Sequence, residues 1–175
     1  MDSNTLLIII FLGAILVFSL AVVVVIFGNR QRPSDPVLAQ ASQSTSTEIV
    51  QLRLKAYERL VIMLERMTPS KLVMRMNEGA PNGSQLQLRL MKAVRDEFEH
   101  NISMQIYVSN ECWGRVCAAR DEILQLIQVA TLQAGPKGSA LELSKQIFAM
   151  EEKSGNKGIQ HALSRLRDEA HSIMV

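Results

Sequence analysis

An all-α protein with one membrane-spanning helix ahead of a helical domain is what this sequence predicts, on three observations. A run of 22 residues near the front carries no charge. Nearly every later segment repeats its apolar residues at helical spacing. The breaks between those segments carry helix caps, and only the six residues before Ser109 suggest extended chain. With 175 residues, 47% of them apolar, the chain suits one domain of ordinary size with an appendage and excludes disorder. Two cysteines exclude a disulfide scaffold, and 9 Gly with 5 Pro exclude collagen and low-complexity repeats. A net charge of +2 exerts no global pull on nucleic acid.

Leu6 to Phe27 reads LLIIIFLGAILVFSLAVVVVIF. As a helix these residues span about 33 Å, enough for a hydrocarbon core of about 30 Å. Val and Ile are poor helix formers in water, yet in lipid a helix satisfies every backbone N–H and C=O internally. A soluble core helix would keep a polar face, and this run has none. A cleaved signal peptide would have a basic front and a shorter apolar run. The triplet Ala39-Gln40-Ala41 lies beyond Arg30, Arg32, Pro33 and Pro36, so residues 1–28 are expected to remain as an anchor. Arg30 and Arg32 follow the run while only Asp2 and the amino terminus precede it. The positive-inside rule then puts the N-terminus outside and the remainder in the cytoplasm. Gly13, Ala14, Ser19 and Ala21 include no pair four apart, which suits an anchor better than a dimerisation seam.

Residues 29–44, rich in Pro, Ser, Gln and Ala without helical period, read as a flexible linker. The helical domain is expected over 45–175. Thr45 and Glu48 form a capping box ahead of a helix from Ile49 to Met67. That helix has one stripe of Val50, Leu54, Tyr57, Val61 and Leu64 beside another of Leu52, Ala56, Leu60, Met63 and Met67. Apolar on two faces, it is predicted to be central. Thr68-Pro69 restarts a short helix, with Met67 stapled to Leu72. NEGAPNG over 77–83 is turn chemistry. Ser84 and Gln87 open a helix with Leu86, Leu90, Met91, Val94, Phe98 and Ile102 inward. Ser103 to Val108 reads as irregular.

Ser109 caps the next helix, with Val108 stapled to Trp113 and a stripe of Cys112, Val116, Ala119, Ile123, Leu126 and Ala130. Gly135-Pro136 ends it. Ser139 and Glu142 box the following helix, with Leu143, Ile147 and Met150 inward and Phe148 nearby. After a loop at 154–158, the last helix shows Ile159, Leu163, Leu166, Ala170 and Ile173. The sum is a bundle of four or five main helices plus a short one.

Carboxylate-x-x-His occurs twice, at Glu97/His100 and Asp168/His171. Ferritin-like bundles hold iron with such pairs pointing inward. At 100° per residue His100 falls nearly opposite the Met91–Val94–Phe98 face, with Glu97 about 110° away, and Asp168 and His171 lie about 180° and 120° off their stripe. These residues are expected to face water, so no metal site is assigned. Cys112 and Cys117 fit no zinc spacing and lie about 140° apart on one helix. Two unpaired thiols suit a reducing compartment. No nucleophile elbow, Walker loop or dinucleotide glycine pattern occurs, so neither a catalytic residue nor a cofactor is assigned. Six of nine methionines fall between Met63 and Met104, as core filler or as an adaptable partner groove. Nine basic residues lie between Arg53 and Arg95, among them Arg59, Arg66 and Arg75, as a solvated face or one apposed to anionic lipid. Nucleic-acid binding would add aromatic platforms, and the sole Trp lies elsewhere.

LKAYERLVIMLERMTPSKLVMRM over 54–76 and LQLRLMKAVRDEFEHNISMQIYVSNECW over 86–113, following a single apolar span, resemble an uncharacterised family of small membrane-anchored Bacteroidetes proteins. The stretches that carry the resemblance are Tyr57-Glu58-Arg59-Leu60, Glu97-Phe98-Glu99-His100-Asn101, Gln105-Ile106-Tyr107-Val108-Ser109, and Trp113. The resemblance implies a bacterial inner membrane and transfers no catalytic residue.

The expectation is a non-enzymatic scaffold or adaptor, tethered to the bilayer through residues 6–27 and binding a protein partner at the cytoplasmic face. Glu97, His100, Tyr107 and Trp113 are its candidate protein-binding residues, since titratable and aromatic groups lie close in sequence there. Self-association is left open. The alternatives are a subunit of a larger membrane complex and a metal-assisted enzyme using His100, His161 or His171.

Overall fold

The computed structural model describes residues 15–23 and 36–174, with side chains from 47 onward in the second stretch. The chain divides into two units, Met1–Thr47 and Glu48–Val175. Among the described residues all regular structure is helical, without a strand.

In the first unit residues 15–23 form a helix, α1, of which every side chain is exposed. Leu16 and Val17 are each 68% exposed and Phe18 73%, so apolar side chains face outward all round. Among the described residues no helix is long and apolar enough to cross a membrane. The remainder of the expected span over 6–27 lies outside them.

The second helix, α2 (Pro36–Arg66), begins nine residues earlier than Thr45. Residues 36–44 of the expected linker are therefore helical, and 29–35 lie outside the described residues. The local chemistry explains the early start. Pro36 suits a first helical position, and Leu38, Ala39, Gln40 and Ala41 are good helix formers with no Gly among them. The Thr45–Glu48 box is an interior stretch of this helix.

In the second unit α2 is followed by α3 (Pro69–Met76), α4 (Gly83–Asn101), a 3-10 segment (Ile102–Tyr107), α5 (Asn110–Ala134), α6 (Ala140–Ser154) and α7 (Lys157–Ser172). Helix α5 packs against α4, α6 and α7, while α3 and α4 both lean on α6. Ala56, Tyr57, Leu60, Met63, Leu64 and Met67 bring one face of α2 into the core, while α5, which packs on three helices, is the hub. One of the two α2 stripes is incomplete, because Leu52 is 47% exposed.

Several boundaries follow their caps. Ser109 Oγ accepts from Cys112 N at 3.1 Å, and Ser139 with Glu142 forms a full capping box. Thr68 precedes Pro69 with Met67 and Leu72 wholly buried, but its side chain makes no capping bond, so Pro at the first position starts α3. The α4 cap is Asn82, whose Oδ1 accepts from Gln85 N at 2.9 Å, in place of the expected Ser84 box. A tertiary contact sets this shift. Gly83 N donates to Gly138 O at 3.0 Å, and a Cβ on Gly83 would lie 2.7 Å from that oxygen. Gly155 (φ 64) and Asn156 (φ 51) are both left-handed, which turns the chain in two residues where five were expected.

The stripes need four corrections. Ile127 is buried where Leu126 was expected, and Leu126 is half-buried. Phe148 is 41% exposed. Ile102 is 46% exposed and Asn101 points inward instead, because α4 ends there and the 3-10 segment abandons its 3.6-residue phase. Helix α7 buries Ala162 and Glu169, neither of them on the expected stripe.

Candidate functional site

Helical spacing builds a groove along three helices. Arg59, Ile62, Met63 and Arg66 recur at three- and four-residue steps on one face of α2, and Ala93, Asp96, Glu97, His100 and Asn101 do so on α4. Arg75 and Met76 border it from the end of α3, and this open groove has a volume of about 640 Å³. Glu97 organises the charges. Its Oε1 accepts from Arg66 Nε at 2.7 Å and lies 3.6 Å from Arg75 Nη1. Hydrogen bonding to Glu97, and then its charge, hold the Arg66 guanidinium above its ordinary pKa. Arg75 Nη2 donates to the Arg66 carbonyl at 2.8 Å. Arg59 Nε donates to Asn101 Oδ1 at 3.3 Å, and Asn101 Nδ2 donates to the Glu97 carbonyl at 2.8 Å.

Of the four residues expected to form one surface, Glu97 and His100 both line this groove, whereas Tyr107 and Trp113 do not. The Trp113 ring packs against Phe98 with centroids 5.3 Å apart, and the Arg120 guanidinium lies over the Phe98 ring at 4.2 Å. Tyr107 contributes its backbone carbonyl to Arg53 Nε at 3.0 Å. Neighbours in sequence thus part company, because Phe98 turns inward from α4 while Glu97 and His100 turn toward α2 and α3.

A second cluster went unforeseen. Glu169 on α7 is only 8% exposed. Its Oε1 accepts from Ser109 N at 2.7 Å and from Tyr57 OH at 2.9 Å, and its Oε2 accepts from Ser109 Oγ at 2.5 Å. Arg53 Nη2 donates to Tyr57 OH at 2.8 Å and reaches Glu169 at 3.4 Å. The short bonds therefore come from Ser109 and Tyr57, with Arg53 acting chiefly through Tyr57. The carboxylate also sits at the N-terminus of α5, where the helix dipole favours negative charge. Burial pushes its pKa up, but the Ser109 and Tyr57 bonds outweigh that and hold it below the usual carboxylate range. Burial first, and then the bond to Glu169, pushes the Tyr57 phenol up to about 12. One signal for Glu169 was present in the sequence: Ala162, Leu166, Glu169 and Ile173 share a face, with a carboxylate in an otherwise apolar row.

The node borders neither the Glu97 groove nor a second, more apolar groove of about 620 Å³ beside Leu126, Met150 and His161. Its arrangement joins α2, the start of α5, and α7. His100, His161 and His171 are all exposed. Among the described residues no three His, Cys, Asp or Glu side chains are placed to hold a metal.

Both thiols are free, Cys112 buried and Cys117 half-buried. Burial, and then the charge of Glu169, pushes the Cys112 thiol up to about 12, and burial raises that of Cys117. Since the thiolate is the reactive form, iodoacetamide at neutral pH is expected to leave Cys112 unmodified in the folded chain and to label it after unfolding in guanidinium. Rapid native labelling at Cys112, read by peptide mass, would contradict that environment.

A family described as a family of unknown function (DUF7935) matches residues 2–173, and the chain belongs to it. No curated protein and no solved structure matches the chain.

Proposed function

We propose that this member of the family is a non-enzymatic helical adaptor, tethered to a bacterial inner membrane by residues 6–27, that holds a protein partner at the cytoplasmic face through the Glu97 groove. What carries the reading is the groove itself, where Glu97 and His100 stand beside three arginines on a helical frame with exposed Ile62 among them. Polar side chains that recur on a concave surface with an apolar contact suit recognition. The uncharged run supports the tether, since exposed apolar side chains surround residues 15–23 and such a surface is costly in water. Arg30 and Arg32 just beyond the run support the orientation.

Fractionation of cells making the full chain tests the tether. The chain is expected to stay with membranes through an alkaline carbonate wash, and to enter the soluble fraction when residues 1–28 are removed. Protease added to intact spheroplasts is expected to leave the helical domain whole. In-cell crosslinking should then recover a protein neighbour with the native chain and lose it with Ile62→Asp, which puts a charge on the exposed apolar contact of the groove, with far-UV circular dichroism unchanged. Release by carbonate, or digestion from outside, would remove the tether or its orientation, and an unaltered neighbour with Ile62→Asp would remove the surface.

A further inference from the structure

We infer that the α2–α3–α4 groove receives an acidic, amphipathic peptide segment of a partner protein, its carboxylates meeting Arg59 and Arg75 and its apolar side chains resting on Ile62 and Met76. This rests on the adaptor reading and adds the chemistry of the partner.

Charge argues first. Three arginines line the groove against Asp96 and Glu97. Asp96 is already engaged by Lys92 at 2.6 Å. Glu97 alone serves Arg66 and Arg75, so one carboxylate stands between two guanidiniums. The Arg59 bond goes to the neutral Asn101 amide oxygen. The lining itself carries a formal excess of one positive charge, and the Lys92 ammonium that engages Asp96 from outside it raises the local excess to two, one on Arg59 and one shared by Arg66 and Arg75. Guanidiniums present paired donors that match carboxylate geometry. Those of Arg66 and Arg75 are already oriented by Glu97 and by the Arg66 carbonyl, which lowers the ordering cost of binding.

Shape and apolar content decide the class of ligand. Ile62 is 51% exposed between charged neighbours, and Met63, Met76 and Ala93 also line the groove. A ligand that uses these groups and the arginines together alternates carboxylates with apolar side chains, as an acidic helix or strand does. A nucleic acid would seek large aromatic platforms to stack on, and the lining holds no Phe, Tyr or Trp. A flat layer of anionic headgroups has no means of filling a concave site with apolar contacts.

The test uses the full chain in neutral detergent micelles and a short fluorescent peptide in which Glu flanks Leu at three- and four-residue spacing. A second peptide carries Gln for every Glu. The acidic peptide is expected to bind, to weaken as salt is raised, and to bind at least tenfold better than its Gln counterpart. Arg59→Gln and Arg75→Gln should each weaken it severalfold, and Lys145→Gln on α6 should leave it unchanged. Ile62→Asp, at an exposed position that carries no hydrogen bond, should cost at least tenfold without loss of helicity, so the outcome does not hinge on the arginine variants folding.

Equal binding of the two peptides, or full binding by Ile62→Asp, would overturn the inference. Displacement of the peptide by phosphatidylglycerol in the micelles, acting through the same arginines, would assign the groove to lipid and overturn it too. A chain that binds the peptide yet washes off membranes would remove only the tether. A membrane-held chain that ignores the peptide would remove this inference and leave the tether standing.

Discussion

Replacing Glu169 by Ala is expected to destabilise the helical domain by about 3–5 kcal/mol. The substitution strips the acceptor from the half-buried Ser109 N and Oγ and from the buried Tyr57 OH at once, and a donor left unpaired away from water costs about 1–3 kcal/mol, least for the Ser109 groups that water can reach. Urea unfolding of the full chain in mild detergent, followed by far-UV circular dichroism, measures the loss. A change below about 1 kcal/mol, the scale of an ordinary surface substitution, would show that the node carries no weight. Acid supplies an independent check. The folded pKa of Glu169 lies below its unfolded value, so its contribution is complete above about pH 4.3 and is lost as the pH falls through the lower folded value. Glu169→Gln cannot titrate, and the difference between wild type and this variant should shrink over that acid range alone.

Leu60→Ala is expected to cost about 2–5 kcal/mol, the range for removing a large aliphatic side chain from a packed interior. Leu60 is 0% exposed, between Tyr57, Met63 and Leu64 on the buried face of α2. The partner experiment is Leu52→Ala two turns earlier, where the side chain is 47% exposed and about 0.5 kcal/mol or less is expected. Both leucines share one apolar stripe in the sequence. Similar losses at the two positions would mean that α2 buries its full width, contrary to the packing described.

The same pair shows how far a pattern can be read. Spacing identifies the apolar faces of α2 and α5, and it finds Leu60, Met63, Cys112, Val116 and Ala119 because each face must leave water somewhere. It does not say which edge of a broad stripe meets a neighbour. Leu126 and Ile127 are one residue apart, and the packing of α5 against its neighbours selects Ile127. Caps were legible where the side chain bonds its own helix, as with Ser109 and Ser139–Glu142. At α4 the local pattern does not set the cap, because the backbone of Gly138 claims Gly83.

The candidate site divides along the same line. Glu97 and His100 are three apart on one helix, so their shared face could be read directly. Arg66 and Arg75 join them only because α2 and α3 fold back alongside α4, and sequence proximity misleads for Trp113, which packs on Phe98 instead. Glu169 was legible as an oddity in an apolar row, but its partners lie 60 and 112 residues away. No local rule could pair them.

What this sequence determined by itself is the class of the protein: helices, their faces, most of their ends, and an uncharged run at the front too apolar for a surface helix. These follow from periodicity and from bonds made within a few residues, where chain geometry leaves little choice. Only the tertiary structure decided that a carboxylate is buried at the start of α5, and that one glutamate gathers arginines from two other helices. Such contacts join residues distant along the chain, and their energies depend on desolvation and bond geometry that exist only once the helices have packed.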